Sequence, residues 1–438
     1  MALAPLPDVA DAPASFASNL RVKALSEVAV RGAQLALLIA AARVWGPERF
    51  GVFAFAGSFA TIVVATADFG LQLQLARAIA QGGGRRSLRA VVTAKLFLSA
   101  LTLFGLIAAS LFYPRPGMTA VLFAAGALVL VQSWCDLWNH YFRGRQLLRD
   151  EAKLNSTYLG GGVLVAGLAL GLGAGVLGLY LILLAAALVG NVLGARRVRA
   201  LAATDPADVG PRAASTGPDV ERAETPRAAL RAAFPIGIAT VLGTIYFRSD
   251  MVLLQWLRGD AATGAYGAAY RLFEGAFFLP ALILAALFPA LAERMVTSRA
   301  DIGPLVRRAV GWMATLGLAS AAFLAFAVAP LLQRIYGDDY AESALLLQLL
   351  APALCLIFPN YVLLHFLVAA GRQKVIAWVA ALGVPVCLAL NLALIPTLGA
   401  RGAAVATVAT EVVLFTAALI LAERTIARHS IASARMEV

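Results

Sequence analysis

The chain has 438 residues, 61% of them hydrophobic and 14% charged, with a mean hydropathy of +0.82. That balance, carried by repeated apolar runs of about 18 residues or more, excludes a water-soluble globular protein and requires a polytopic membrane protein. The net charge of +12 raises nucleic acid as a partner, but the basic residues sit in short segments between apolar runs rather than on one stripe, which argues against it.

Residues 1–20 have no basic start followed by an apolar core, so no cleavable signal peptide is expected. Twelve spans are then expected, at roughly 24–42, 50–70, 89–112, 117–138, 154–172, 175–195, 232–256, 264–288, 307–329, 343–369, 374–394 and 401–421. Turn residues separate them, among them Gly46-Pro47, Gly82-Gly83-Gly84, Gly337-Asp338-Asp339 and Pro396 to Gly399. With the N-terminus inside, 26 lysines and arginines fall in inner segments. Six fall outside, namely Arg43, Arg49, Arg115, Arg258, Arg334 and Arg401. This bias predicts both termini in the cytoplasm.

Ala200–Arg227 breaks the apolar pattern with Pro206, Pro211, Pro218, Pro226 and mixed charge, and reads as a cytoplasmic linker. The expected organisation is an N-terminal six-helix lobe over 1–196, a linker over 197–229 and a C-terminal six-helix lobe over 230–438. The halves repeat. GPERFGVFAFA at Gly46–Ala56 aligns with GDAATGAYGAA at Gly259–Ala269, placing Gly46 on Gly259, Gly51 on Gly264 and Phe53 on Tyr266. Both segments join the first two spans of their half on the same side, so the repeat is parallel, with a pseudo-two-fold along the membrane normal.

Four cations remain within spans: Arg31, Lys95, Arg248 and Arg271. Each intramembrane charge costs at least ~2.5–3.5 kcal/mol on insertion scales and needs a partner or a wet cavity. Phe247–Pro289 concentrates them, with Arg248 and Asp250 on one helix and Arg271 and Glu274 on the next. Arg31 either faces a lumen or pairs with Glu27 one turn earlier. Arg248 and Asp250, two apart, do not share a helix face. Arg271 and Glu274, three apart, either pair with each other or meet substrate. Lys95 is expected to snorkel to the inner surface, and Asp68 and Arg77 to close a helix end. Glu411, midway along the last span, is either an ion site or an acceptor for a neighbouring helix. Trp45, Trp134, Trp138, Trp256, Tyr113 and Tyr336 fall near span ends and suit an interface belt. Cys135, Cys355 and Cys387 and the scattered His140, His365 and His429 offer no metal or redox spacing, so no metal and no cofactor is expected.

ARVWGPERFGVFAFA with ADFGLQLQLARAIA, FRSDMVLLQWLRGDAATGAYGAAYRL, IYGDDYAESALLLQLLAP and NLALIPTLGARGAAVATVATEVV together resemble the polysaccharide exporters of the multidrug/oligosaccharidyl-lipid/polysaccharide (MOP) flippase superfamily. The resemblance implies an all-α fold of about 12 transmembrane helices in two lobes around a lumen. It also implies alternating access and movement of a lipid-linked sugar between leaflets of the inner membrane. The chemistry suits such a role. A polyprenyl-diphosphate glycan needs a cationic path for its diphosphate, and arginine binds phosphate with a planar, permanently charged fork.

Arg31, Arg248 and Arg271 are the candidate substrate-binding residues, and Asp250, Glu274 and Glu411 the candidate ion-coupling residues. Expected partners are the lipid-linked glycan, the bilayer and assembly proteins of the same pathway. Alternatives are a cation-coupled drug exporter or a peptidoglycan-precursor flippase of the same superfamily. A membrane glycan polymerase or ligase is disfavoured, because the outer loops are short and no nucleophile–base constellation is present.

Overall fold

The computed structural model describes residues 14–111, 115, 117–204, 225–280, 283–284, 302–372 and 374–434. The middle of the expected linker, the inner end of the eighth expected span, Tyr113 and the cations Arg212, Arg222, Arg294, Arg299 and Arg435 lie outside the described residues.

Among the described residues the regular structure is all helix. In chain order the helices are α1 (Ala14–Asp68), α2 (Leu71–Ala80), α3 (Arg85–Leu111), α4 (Met118–Gly144), α5 (Leu148–Gly171) and α6 (Val176–Ala203). They continue as α7 (Pro226–Arg258), α8 (Asp260–Gly275), α9 (Ile302–Tyr336), α10 (Asp338–Ala369), α11 (Lys374–Leu398) and α12 (Ala400–Ala434). Ten described stretches are long and apolar enough to cross a bilayer. One of them, Leu25–Asp68, holds the first two expected spans, and α8 begins the eighth. Helices are forced here because hydrocarbon offers the backbone no partner, so each segment must satisfy its own amides.

Two features depart from the expectation. The segment after the second expected span, read as an inner loop, is the short helix α2, which buries Leu71, Leu75, Ala78 and Ile79. Of the aromatic residues assigned to an interface belt, Trp45, Trp138 and Tyr336 are buried and pack against protein, while Trp256 is exposed. Proximity to a span end does not tell a lipid-facing ring from one turned toward neighbouring helices.

The repeat is written in the backbone. Gly46 kinks α1 at φ 71°, ψ 174°, and Gly259 separates α7 from α8 at φ 84°, ψ −170°. Only glycine takes this conformation without strain. Each glycine is followed by a new helix start, Pro47 in one case and Asp260 in the other. Pro47 needs no N–H partner there, and Asp260 faces the positive end of α8.

The two helix starts also touch reciprocally. A Cβ on Gly51 would overlap the Asp260 carbonyl, and one on Gly264 would overlap the Pro47 carbonyl. These positions correspond under the repeat, and small residues let the backbones cross this closely.

The chain forms two compact units. The first comprises the described residues up to Ala40 together with Thr66–Gly237. Its centre is α4, which packs on α2, α3 and α6 and buries Leu122, Leu137, Tyr141 and Phe142. The second comprises Ala41–Ala65 and the chain from Ile238 onward. In it the early segment is fastened by Tyr340 donating to the Ala42 carbonyl at 3.0 Å and Arg43 donating to the Arg334 carbonyl at 3.2 Å. A core of this unit lies among α9 to α12, with Phe366, Leu367, Val379 and Ala418.

Candidate functional site

Helices α7 and α8 are joined by the single residue Gly259, which obliges them to run side by side in opposite directions. Residues far from the turn on α7 therefore face residues far from the turn on α8. Arg248, ten before Arg258, meets Glu274 across the hairpin. Its Nη2 donates to Glu274 Oε1 at 2.7 Å. Arg271, one turn before Glu274 on the same helix, donates from Nη1 to Oε2 at 3.1 Å. Two guanidinium groups thus share one carboxylate, leaving a net charge of +1. The side chains stay partly open, Arg248 at 18%, Arg271 at 26% and Glu274 at 31%. Phe247, Tyr270, Phe273 and Phe277 stack beside them at ring separations of 5.2–6.1 Å.

Asp250 reaches the same neighbouring helix about 12 Å closer to the turn, by helix rise. It is sealed: Oδ2 accepts from the Tyr266 hydroxyl at 2.5 Å and Oδ1 from the Met251 amide at 2.7 Å. Glu411 on α12 is equally buried and accepts from the Tyr246 hydroxyl. Among the described residues no ion pair is formed by either acid. Beside them lie Ser249, Cys387 and Asn391, whose amide donates to the Cys387 carbonyl at 2.9 Å.

The first unit holds a different arrangement. Lys95 on α3 does not snorkel. Its ammonium is fully buried and donates to Asp68 Oδ1 and Ser133 Oγ, both at 2.7 Å. It also lies over the Trp134 ring, 5.6 Å from the centroid. Asp68 accepts as well from Gln72, at 2.8 Å, and from Ser133. One cation and one anion therefore cancel, and the pair joins α1 and α2 to α3 and α4. Asp68 ties helices together across the unit, where a helix-end role was expected.

Of the residues singled out in the sequence, the fold gathers Arg248, Arg271 and Glu274, and gives Asp250 and Glu411 tyrosine hydroxyls as partners instead. Arg31 belongs to the first unit, where its side chain is exposed. Sequence spacing missed the Arg248–Glu274 and Lys95–Asp68 pairs because each joins two helices. It also gave no sign of Tyr246 and Tyr266 as the donors to the two buried acids.

By sequence, residues 16–295 match the family model described as polysaccharide biosynthesis protein, and residues 235–393 match the one described as MatE. None of the curated proteins matches the sequence. Among solved structures, the chain is similar to an inward-facing multidrug resistance MATE family transporter of the MOP superfamily. That match has 16% identity and TM-score 0.70, over 91% of this chain and 94% of the other. It is also similar to the lipid II flippase MurJ in an inward closed conformation, at 12% identity and TM-score 0.65, over 94% and 91%. A third similar structure is a MOP superfamily transporter from Pyrococcus furiosus, at 15% identity and TM-score 0.57, over 94% of each chain.

Identities this low show the fold alone, a helical membrane fold shared with a MATE family transporter and with MurJ. The first family model covers more than half of the chain. This chain belongs to the polysaccharide biosynthesis protein family.

Proposed function

We propose that the protein is a flippase that moves a polyprenyl-diphosphate-linked oligosaccharide from the cytoplasmic to the outer leaflet of the inner membrane. It works by alternating access and serves cell-surface polysaccharide biosynthesis. Both termini are cytoplasmic in this reading, and the lobes are 1–196 and 230–438 with a linker between. The family supports a role in polysaccharide assembly, and the likeness to a lipid II flippase supports a lipid-borne cargo.

The observation that carries the reading is the sharing of Glu274 by Arg248 and Arg271. One carboxylate satisfies one guanidinium, so one positive charge is left for an anion. Both side chains are partly open, and a diphosphate offers the acceptors that guanidinium forks fit. Arg31 is the third candidate contact. Asp250 and Glu411, buried without a basic partner, are the candidate ion-coupling pair, and Glu274 serves first as counter-ion to the arginines. Under that assignment Glu411→Gln abolishes the dependence of export on an ion gradient. Unchanged gradient dependence would remove Glu411 from the assignment.

Shared pairing makes the test clean. Arg248→Gln leaves Arg271 on Glu274, and Arg271→Gln leaves Arg248 on it, so neither variant strands a carboxylate. Both should reach the membrane at normal levels and lose surface glycan, and Arg248→Lys should restore it only in part. Normal surface glycan in both glutamine variants at normal abundance would overturn the reading.

A further inference from the structure

A second cationic feature belongs to the first unit, at the end that holds the start of α3 and the end of α6. Both helices pack on α4 and leave a cleft of about 290 Å³ over it. Trp138 of α4 forms its floor. The indole donates to Asn191 Oδ1 at 2.7 Å and lies close against α6 because residue 194 is glycine, where a Cβ would sit 2.7 Å from the ring.

The walls are two helix stripes at i, i+3, i+4, i+7 spacing. On α3 the stripe is Arg85, Leu88, Arg89, Val92, and on α6 it is Ala195, Val198, Arg199, Ala202. The cleft is therefore apolar inside with three arginines on it. None of the three forms a hydrogen bond or ion pair with any described residue, and no acid lines the cleft. Arg197, two residues before Arg199, is by contrast held by both oxygens of Asp150 at 3.0 and 3.2 Å. The same stripes continue into exposed apolar side chains, Leu96 and Leu103 on α3 and Val192 and Leu188 on α6.

We propose that this cleft is a binding site for an anionic phospholipid of the inner leaflet. The phosphodiester sits among Arg85, Arg89 and Arg199, and an acyl chain runs over Leu96 and Val192. A free phosphate has no use for the apolar floor and stripes, and a zwitterionic lipid brings a choline against three guanidinium groups. Basic clefts between transmembrane helices at the cytoplasmic face are suited to acidic headgroups. The site rests on the inward placement of this end and not on the flippase reading.

The test is native mass spectrometry of the full-length protein with phosphatidylglycerol and phosphatidylcholine of identical chains. Phosphatidylglycerol should be retained preferentially and should resist excess inorganic phosphate. Its affinity should fall about fivefold in Arg199→Gln and roughly 100-fold in the triple variant Arg85→Gln/Arg89→Gln/Arg199→Gln. A control of equal charge, Arg149→Gln/Arg227→Gln/Arg231→Gln, removes exposed arginines elsewhere in the unit and should bind within about twofold of wild type. Equal retention of the two lipids, equal loss in both triple variants, or an unchanged Arg199→Gln variant would each overturn the site. So would displacement of phosphatidylglycerol by undecaprenyl diphosphate, which would make the cleft a loading site for a lipid-diphosphate cargo.

Discussion

The two units each hold a carboxylate against basic side chains inside membrane spans, yet they use them differently. In the first, Lys95 and Asp68 cancel, the ammonium is wholly buried, and Ser133 and Gln72 take up remaining hydrogen bonds. In the second, Arg248 and Arg271 divide one Glu274, and all three side chains remain partly open. A closed neutral pair has nothing left to offer a ligand and serves to hold helices together. An open cluster with a surplus guanidinium retains both charge and unused donors. Charge inside a membrane span is therefore a poor marker of function until it is counted against its neighbours.

The largest effect that tests this contrast is Lys95→Met. It strands the Asp68 carboxylate, and breaking a buried pair by one partner costs about 3–5 kcal/mol. Asp68 is 23% exposed, which favours the lower end. Membrane abundance should collapse, and adding Asp68→Asn should restore it. A Lys95→Met protein at normal abundance that had lost export would erase the contrast, because the first unit's pair would then be a working site.

Next in size is Glu274→Gln. It sets two guanidinium groups against each other without a counter-ion, and partial exposure screens part of the cost, leaving on the order of 1–2 kcal/mol. Thermal stability should fall modestly and recover when Arg271→Gln is added. The smallest is Ser133→Ala, which removes one hydroxyl shared by Lys95 and Asp68 and should cost about 1 kcal/mol in thermal unfolding, with export unchanged.

The spans were legible because twenty-residue apolar runs carry their own signal, and the hairpin repeat because Gly46 and Gly259 punctuate it at matching places. Arg271–Glu274 was legible too, since a spacing of three fixes two side chains on one helix face. Arg248–Glu274 and Lys95–Asp68 were not. Their members are 26 and 27 residues apart on different helices, and only packing decides which faces meet. For the same reason Lys95 read as a snorkelling lysine, although its ammonium turns sideways into the helix bundle. The placement of Ala41–Ala65 in the second unit was equally hidden, because it depends on Gly51 and Gly264 crossing at backbone contact.

The surplus charge at Arg248 is the feature assigned to the diphosphate, and direct binding tests it most closely. Purified full-length protein, wild type and Arg248→Gln, should be titrated with undecaprenyl diphosphate, with thermal unfolding recorded beside each titration. Loss of a charge-assisted contact of about 1.5–3 kcal/mol predicts roughly 10–100-fold weaker binding by Arg248→Gln at unchanged stability, with Arg248→Lys between the two. Equal affinity in wild type and Arg248→Gln, with both proteins folded, would contradict the claim that this cluster holds the diphosphate.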